Sequence, residues 1–98
     1  MNLTSKQRAY LKGLAQTTET VINIGKSSLT PEIVEAVAET FHTRELVKVG
    51  VLKNCFEDPR ALGQMLSERT RSTLVQVIGK KIVLYKPDPE DPKIVLPK

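Results

Sequence analysis

Apolar residues recur at helical spacing near the start of the chain, where Leu3, Tyr10, Leu11 and Leu14 share one face of a helix that Ser or Thr near position 4 can cap. That helix is expected to run to about Gln16, with Arg8 and Lys12 turned the opposite way, to solvent. "TVINI", residues 20–24, is short, β-branched and bounded by Gly25, which predicts a buried strand. Thr30-Pro31-Glu32 then combines a hydroxyl cap, a proline at the first helical position and an acid in the first turn. The helix it opens carries an apolar stripe of Ile33, Val34, Val37, Ala38 and Phe41, a core face rather than a cofactor pocket.

In residues 45–52, "ELVKVGVL", Val47, Val49 and Val51 alternate with Lys48 and Gly50, so a second strand is predicted. Asp58-Pro59 repeats the cap-then-proline signal and starts a third helix with Ala61, Leu62, Met65 and Leu66 inward, weakened by Gly63. "TLVQVI" and "KIVLYK" are two further strands joined by the tight connection Gly79-Lys80. Three prolines and three acids in "KPDPEDPK" predict a loop, and "IVLP" is expected to add a short terminal edge segment. The order α-β-α-β-α-β-β specifies a small α/β protein. Strand-helix-strand steps imply parallel neighbours and the final hairpin an antiparallel pair, so a mixed four-stranded sheet with three helices is expected, as a single domain over residues 1–98 with a proline-rich segment from 87 onward.

Composition narrows the function. The single cysteine, Cys55, excludes an intramolecular disulfide, and with His42 the only histidine no closed zinc site of thiolates and imidazoles can be assembled within one chain. Catalysis by a Cys55 nucleophile and a His42 base would need the two brought together, with no third orienting group in evidence. A non-enzymatic protein without cofactor or small-molecule substrate is therefore expected. The polar N-terminal residues contain neither a secretory signal nor a membrane span, which points to a cytoplasmic protein, and a monomer is expected.

Lys and Arg outnumber Asp and Glu by 15 to 11, for a formal net charge of +4. Seven acids fall in the second helix region (Glu32, Glu35, Glu39, Glu45) and the tail loop (Asp88, Glu90, Asp91). Lys6, Arg8 and Lys12 precede any acid, and residues 69–86 hold Arg69, Arg71, Lys80, Lys81 and Lys86 with none. Cations grouped by region suit a polyanion better than a small acidic substrate. Two Tyr, two Phe and no Trp are too few for a base-stacking sheet.

The sharpest local signal is Gly25-Lys26-Ser27-Ser28, between the first strand and the second helix. Exposed amides at such a junction attract anions, and a cation there opposes the helix dipole unless an anion is bound. Gly25-Lys26-Ser27 matches the end of a nucleotide phosphate loop, but the glycine required five positions earlier is Thr20, so that motif fails.

In order along the chain, "LTSKQRAYLKGLA", "INIGKSSLT", "ELVKVGVL", "VQVIGKKIVLYKP" and "IVLP" resemble the YhbY family, the stand-alone bacterial form of the CRM domain (chloroplast RNA splicing and ribosome maturation). The resemblance implies a fold similar to the C-terminal domain of translation initiation factor 3, and RNA binding associated with maturation of the large ribosomal subunit. It further implies RNA contact through a G-x-x-G loop akin to that of KH domains, at Gly25, Lys26, Ser27 and Ser28, with serine in place of the second glycine. A positive φ at Ser28 would strain it by about 1 kcal/mol, whereas an ordinary φ would leave the hydroxyl to cap the helix or meet a phosphate. Lys6, Arg8, Lys12, Lys48, Lys80 and Lys81 are expected to surround this loop with charge. The competing expectation is a protein-interaction factor that offers the acidic face of the second helix to a ribosomal protein or an assembly GTPase.

Overall fold

In the computed structural model, which describes every residue from Met1 to Lys98, each helix begins where a polar cap stands. Thr4 opens α1 (Ser5–Gln16) with a reciprocal capping box, its hydroxyl accepting from the Gln7 amide at 3.1 Å while the Gln7 side chain accepts from the Thr4 amide. Strand β1 spans Thr20–Ile24. Thr30 caps α2 (Pro31–Thr40), and after β2 (Leu46–Val51) Asp58 caps α3 (Pro59–Thr70). Helix α3 ends on Arg71 in the left-handed conformation, with the Ser72 amide donating back to the Ser67 carbonyl. Strands β3 (Thr73–Ile78) and β4 (Lys81–Tyr85) complete the α-β-α-β-α-β-β order that the apolar pattern predicts.

The mixed sheet has the order β1-β2-β4-β3, with β1 parallel to β2 and β4 antiparallel to both of its neighbours. Strands β2 and β3 therefore run in one direction, as their helical crossover requires, yet they are not the neighbours expected. The hairpin folds β4 into the slot between them.

Period-2 alternation sends side chains to two cores. Val47, Val49, Val51, Ile82 and Leu84 join Ile24, Val37, Leu62 and Leu66 beneath α2 and α3. Leu46, Val83 and Tyr85 join Val75, Leu11 and Ala15 beneath α1. Gly63, which costs helix propensity, has a packing reason. A Cβ there would stand 3.0 Å from Leu74 Cδ1 and 3.2 Å from Ile82 Cγ2, so its absence lets α3 approach the sheet. Tyr10, placed by its spacing on the apolar face, instead sits on the flank of α1 and is 43% exposed. No helix is long and apolar enough to cross a membrane.

The tail forms no edge strand. Ile94 and Leu96 pack as irregular chain against the core under α1, and the Gln7 side chain donates to the Pro97 carbonyl. What holds the tail is Glu45, only 8% exposed, whose carboxylate accepts from the amides of Asp88, Lys93 and Ile94 at 2.7, 2.8 and 2.7 Å. Burial works to raise the Glu45 pKa, but the three N–H donors favour the ionised form and set it below the ordinary glutamate value. A depressed carboxylate contributes stability above its unfolded pKa, and that contribution fades as the pH falls through the folded value. Glu45→Ala should therefore cost about 1–3 kcal/mol at neutral pH, and should flatten the stability profile from about pH 4.5 downward, where the wild type weakens. Denaturant melts across that range, with hydrogen exchange at the Lys93 and Ile94 amides, measure both effects.

Candidate nucleic-acid interface

Because β1, β2 and β3 run the same way, their C-terminal ends and the N-terminal end of β4 lie at one end of the sheet. Three connections meet there: the Gly25 loop, the β2-to-α3 segment and the Gly79-Lys80 turn. Hydrogen bonds from Leu52 N to Ile24 O (2.9 Å) and from Val51 N to Lys80 O (2.8 Å) tie them together.

Within the loop, the Ser28 amide donates to the Gly25 carbonyl at 2.9 Å, closing a tight turn over Lys26 and Ser27. Ser28 has φ 58°, so the position occupied by serine is the one that favours glycine. Gly25, by contrast, has no positive φ, and a Cβ on it would meet Asn54 Oδ1 and Leu52 Cδ1 only at 3.7 and 3.8 Å, ordinary contact. The fold does not demand a glycine there. The Lys26 and Ser27 amides and both serine hydroxyls have no acceptor or donor within the protein. The start of α2 is a separate place, four residues beyond Lys26. Thr30 Oγ1 already accepts from the Ile33 amide at 3.2 Å, Pro31 has no N–H, and Glu32 occupies the first turn. The free donors here belong to the turn, not to the helix start.

On the sheet face that α1 covers, cover stops at the end of that helix. Beyond it the strand surface carries exposed Asn23 and half-buried Thr20, Lys48 and Lys81, which lie over the buried Gly50. A Cβ on Gly50 would run into Asn23 Oδ1 and stand 3.2 Å from Lys81 Nζ, so three side chains converge over it. Beside them a basin of about 290 Å³ is lined by Lys12, Gln16, Lys48, Gln76 and Ile78 among others. Lys48 Nζ donates to the Ala15 carbonyl at 3.1 Å, satisfying the C-terminal end of α1, and Lys81 Nζ donates to Thr20 Oγ1 at 3.1 Å.

Arg8 departs from the helical-wheel expectation. It turns inward from the helix and donates to the Leu74 carbonyl at 2.9 Å and to that of Val75, where β3 shifts register. Lys12 lies exposed on the same flank and lines the basin. Lys6 projects about a third of a turn away round the helix and lines neither the basin nor the groove of Arg8, Lys12 and Arg60. Lys26 and Lys80 are exposed at the loop end of the sheet. Of all the lysines and arginines, Lys93 alone has a carboxylate within 4.0 Å, so the charge of every expected site residue is uncompensated at contact range.

Cys55 is buried in the larger core and His42 is exposed beyond α2, 4.0 Å from Glu39. No cavity is lined by both, and no three His, Cys, Asp or Glu side chains are gathered as metal ligands. Sequence reasoning passed over Lys53, Asn54 and Phe56, which stand in the β2-to-α3 segment beside the Gly25 loop. The available signal was an aromatic residue in "KNCFED" outside any apolar periodicity.

Comparison with known proteins agrees with this architecture. YqeI of Bacillus subtilis, named as a probable RNA-binding protein, is 40% identical over 95 residues, 97% of this chain and 99% of its own. A protein of Haemophilus influenzae named as an RNA-binding protein is 33% identical over 96 residues, 98% of this chain and 96% of its own. The solution structure of SAV1595 from Staphylococcus aureus matches with a TM-score of 0.83 and 44% identity, covering 98% of this chain and all of that one. The CRS1 / YhbY (CRM) domain matches residues 3–86, and the chain belongs to that family.

Proposed function

We propose that this chain is an RNA-binding protein that holds backbone phosphates of structured ribosomal RNA and serves maturation of the large ribosomal subunit. The observation that carries the proposal is the turn at residues 25–28, with unpartnered amides and hydroxyls, a glycine the fold does not need, and an unpaired Lys26. A glycine where sterics allow a side chain suits a ligand that approaches the backbone closely. Lys48, Lys81, Lys12 and Lys80 extend the positive field from the loop across the open sheet surface. Lys48 and Lys81 are held by neutral oxygens, which fixes their position while leaving their charge to act outward. Arg8 contributes to the same field from the β3 edge. No nucleophile, base or ligand cluster accompanies these groups, so the reading is one of binding without chemistry. RNA-binding names among relatives spanning nearly the whole chain support the same class of ligand.

Salt dependence tests the loop. Each phosphate neutralised on a single strand contributes roughly 0.7 to the slope of log affinity against log salt. Lys26→Ala should weaken binding about equally across RNA sequences and flatten that slope by about one contact, while Lys93→Ala, on the tail, should leave both unchanged. Equal behaviour of the two variants would remove the loop from the interface.

The two loop positions should separate stability from binding. Ser28→Gly relieves the left-handed strain at a smaller entropic cost in the unfolded chain, and should add about 0.5–1 kcal/mol, a Tm rise of about 2–8 °C. Gly25→Ala should raise stability slightly, by about 0.4–1 kcal/mol, yet weaken RNA binding, because the methyl group fills the space reserved for the ligand. Thermal melts and binding titrations on the same variants check both.

A further inference from the structure

The β2-to-α3 segment holds a side chain that folding does not explain. Phe56 is 94% exposed, although its neighbour Cys55 lies fully inside the larger core. A phenylalanine turned to water forgoes the stabilisation that burial would return, and a polar residue would serve a solvated loop equally well. Ile78 and Leu52 are also exposed, at 57% and 45%, at the same end of the sheet. The segment packs on the Gly25 loop, since Asn54 Oδ1 and Leu52 Cδ1 are the atoms nearest to a Cβ built on Gly25, and the Leu52 amide bonds Ile24.

We propose that Phe56 is a stacking platform for an unpaired base of the RNA whose backbone the Gly25 loop holds, so that the ligand at this end of the sheet is single-stranded. The inference rests on the RNA-binding reading and goes beyond it by naming the form of RNA. Lys26, Lys53 and Lys80 stand among exposed apolar side chains, a mixture that suits a nucleotide with an accessible base: cations take the phosphate and the ring takes the base face. A duplex presents phosphates and hydroxyls outward and keeps its base faces stacked inside, leaving an exposed ring without a partner. Charge orients the nucleotide further. Glu57 follows Phe56 and Asp58 caps α3, so phosphate is repelled from the ring side while an uncharged base is not. Asn54, which meets the Gly25 loop two residues before Phe56, has a side chain with no hydrogen-bond partner in the protein, and so offers both a donor and an acceptor to a base edge.

The chain has no tryptophan, so Phe56→Trp introduces a single reporter. Titration with a short single-stranded RNA should change its emission with affinity close to wild type, whereas the duplex formed with the complementary strand should leave emission unchanged. Phe56→Ala should keep the wild-type circular dichroism and Tm, because the ring supports no packing. It should weaken single-strand binding roughly 5- to 100-fold without changing the salt slope. Single-strand binding unaltered in Phe56→Ala, or duplex binding as tight as single-strand binding, overturns the stacking role and leaves the RNA reading intact if Lys26→Ala still flattens the slope. Failure of wild-type protein to bind either form removes both readings.

Discussion

Strand β4 is the member on which the architecture depends. It lies between β2 and β3, pairs antiparallel with each, and is buried on both faces, sending Ile82 and Leu84 under α2 and α3 and Val83 and Tyr85 under α1. Antiparallel sheets commonly leave one face to solvent, but this strand cannot, because four successive apolar residues need cover on both sides. One face has two helices for the purpose. The other has α1 and the irregular tail, which together cover only the half of the surface near Leu46 and Tyr85. The Glu45 carboxylate holds the tail in that role by gathering three amides that no strand partner satisfies.

The uncovered half is where the proposed RNA contacts are concentrated. Cover ends with α1, so the strand residues beyond it are polar or cationic, Ile78 excepted, and the connections at their ends are short loops. Two of the cations there have structural duties, Lys48 at the end of α1 and Lys81 on Thr20, whereas Lys26 and Lys80 have none. Local strain is placed in the same region. Ser28 is held in the left-handed conformation by the turn closing on Gly25, and the fold tolerates it because a single residue costs only about 1–2 kcal/mol against the burial of two cores.

Helix starts were legible in the chain because caps act locally: Thr4, Thr30-Pro31 and Asp58-Pro59 each satisfy amides a few residues away. Strand existence was legible from alternation. The slot taken by β4 was not, since two crossovers and a hairpin fit more than one strand order, and the choice is made by burial on both faces. The inward turn of Arg8 was hidden for a related reason. A helical wheel places a side chain by its Cα direction, while a long guanidinium stem can reach across the helix edge to carbonyls left open by an irregularity in β3. "IVLP" reads as a strand by composition, yet both sheet edges lie elsewhere and its apolar residues serve the core under α1. The Gly25 loop was legible as a candidate site from spacing and family resemblance, but the φ of Ser28 and the nearness of Asn54 are tertiary facts.

The contact of Arg8 with β3 bears on the open edge of the sheet. Strand β3 is an edge of the sheet, and an edge presents unpaired carbonyls that template association with another chain. The guanidinium occupies two adjacent carbonyls, those of Leu74 and Val75, at the point where the register shift already bends the strand away from regular pairing. A second strand approaching there would have to displace a positive charge and straighten an irregular backbone. The cation that docks α1 thus also occupies acceptors that an added strand would need at this edge.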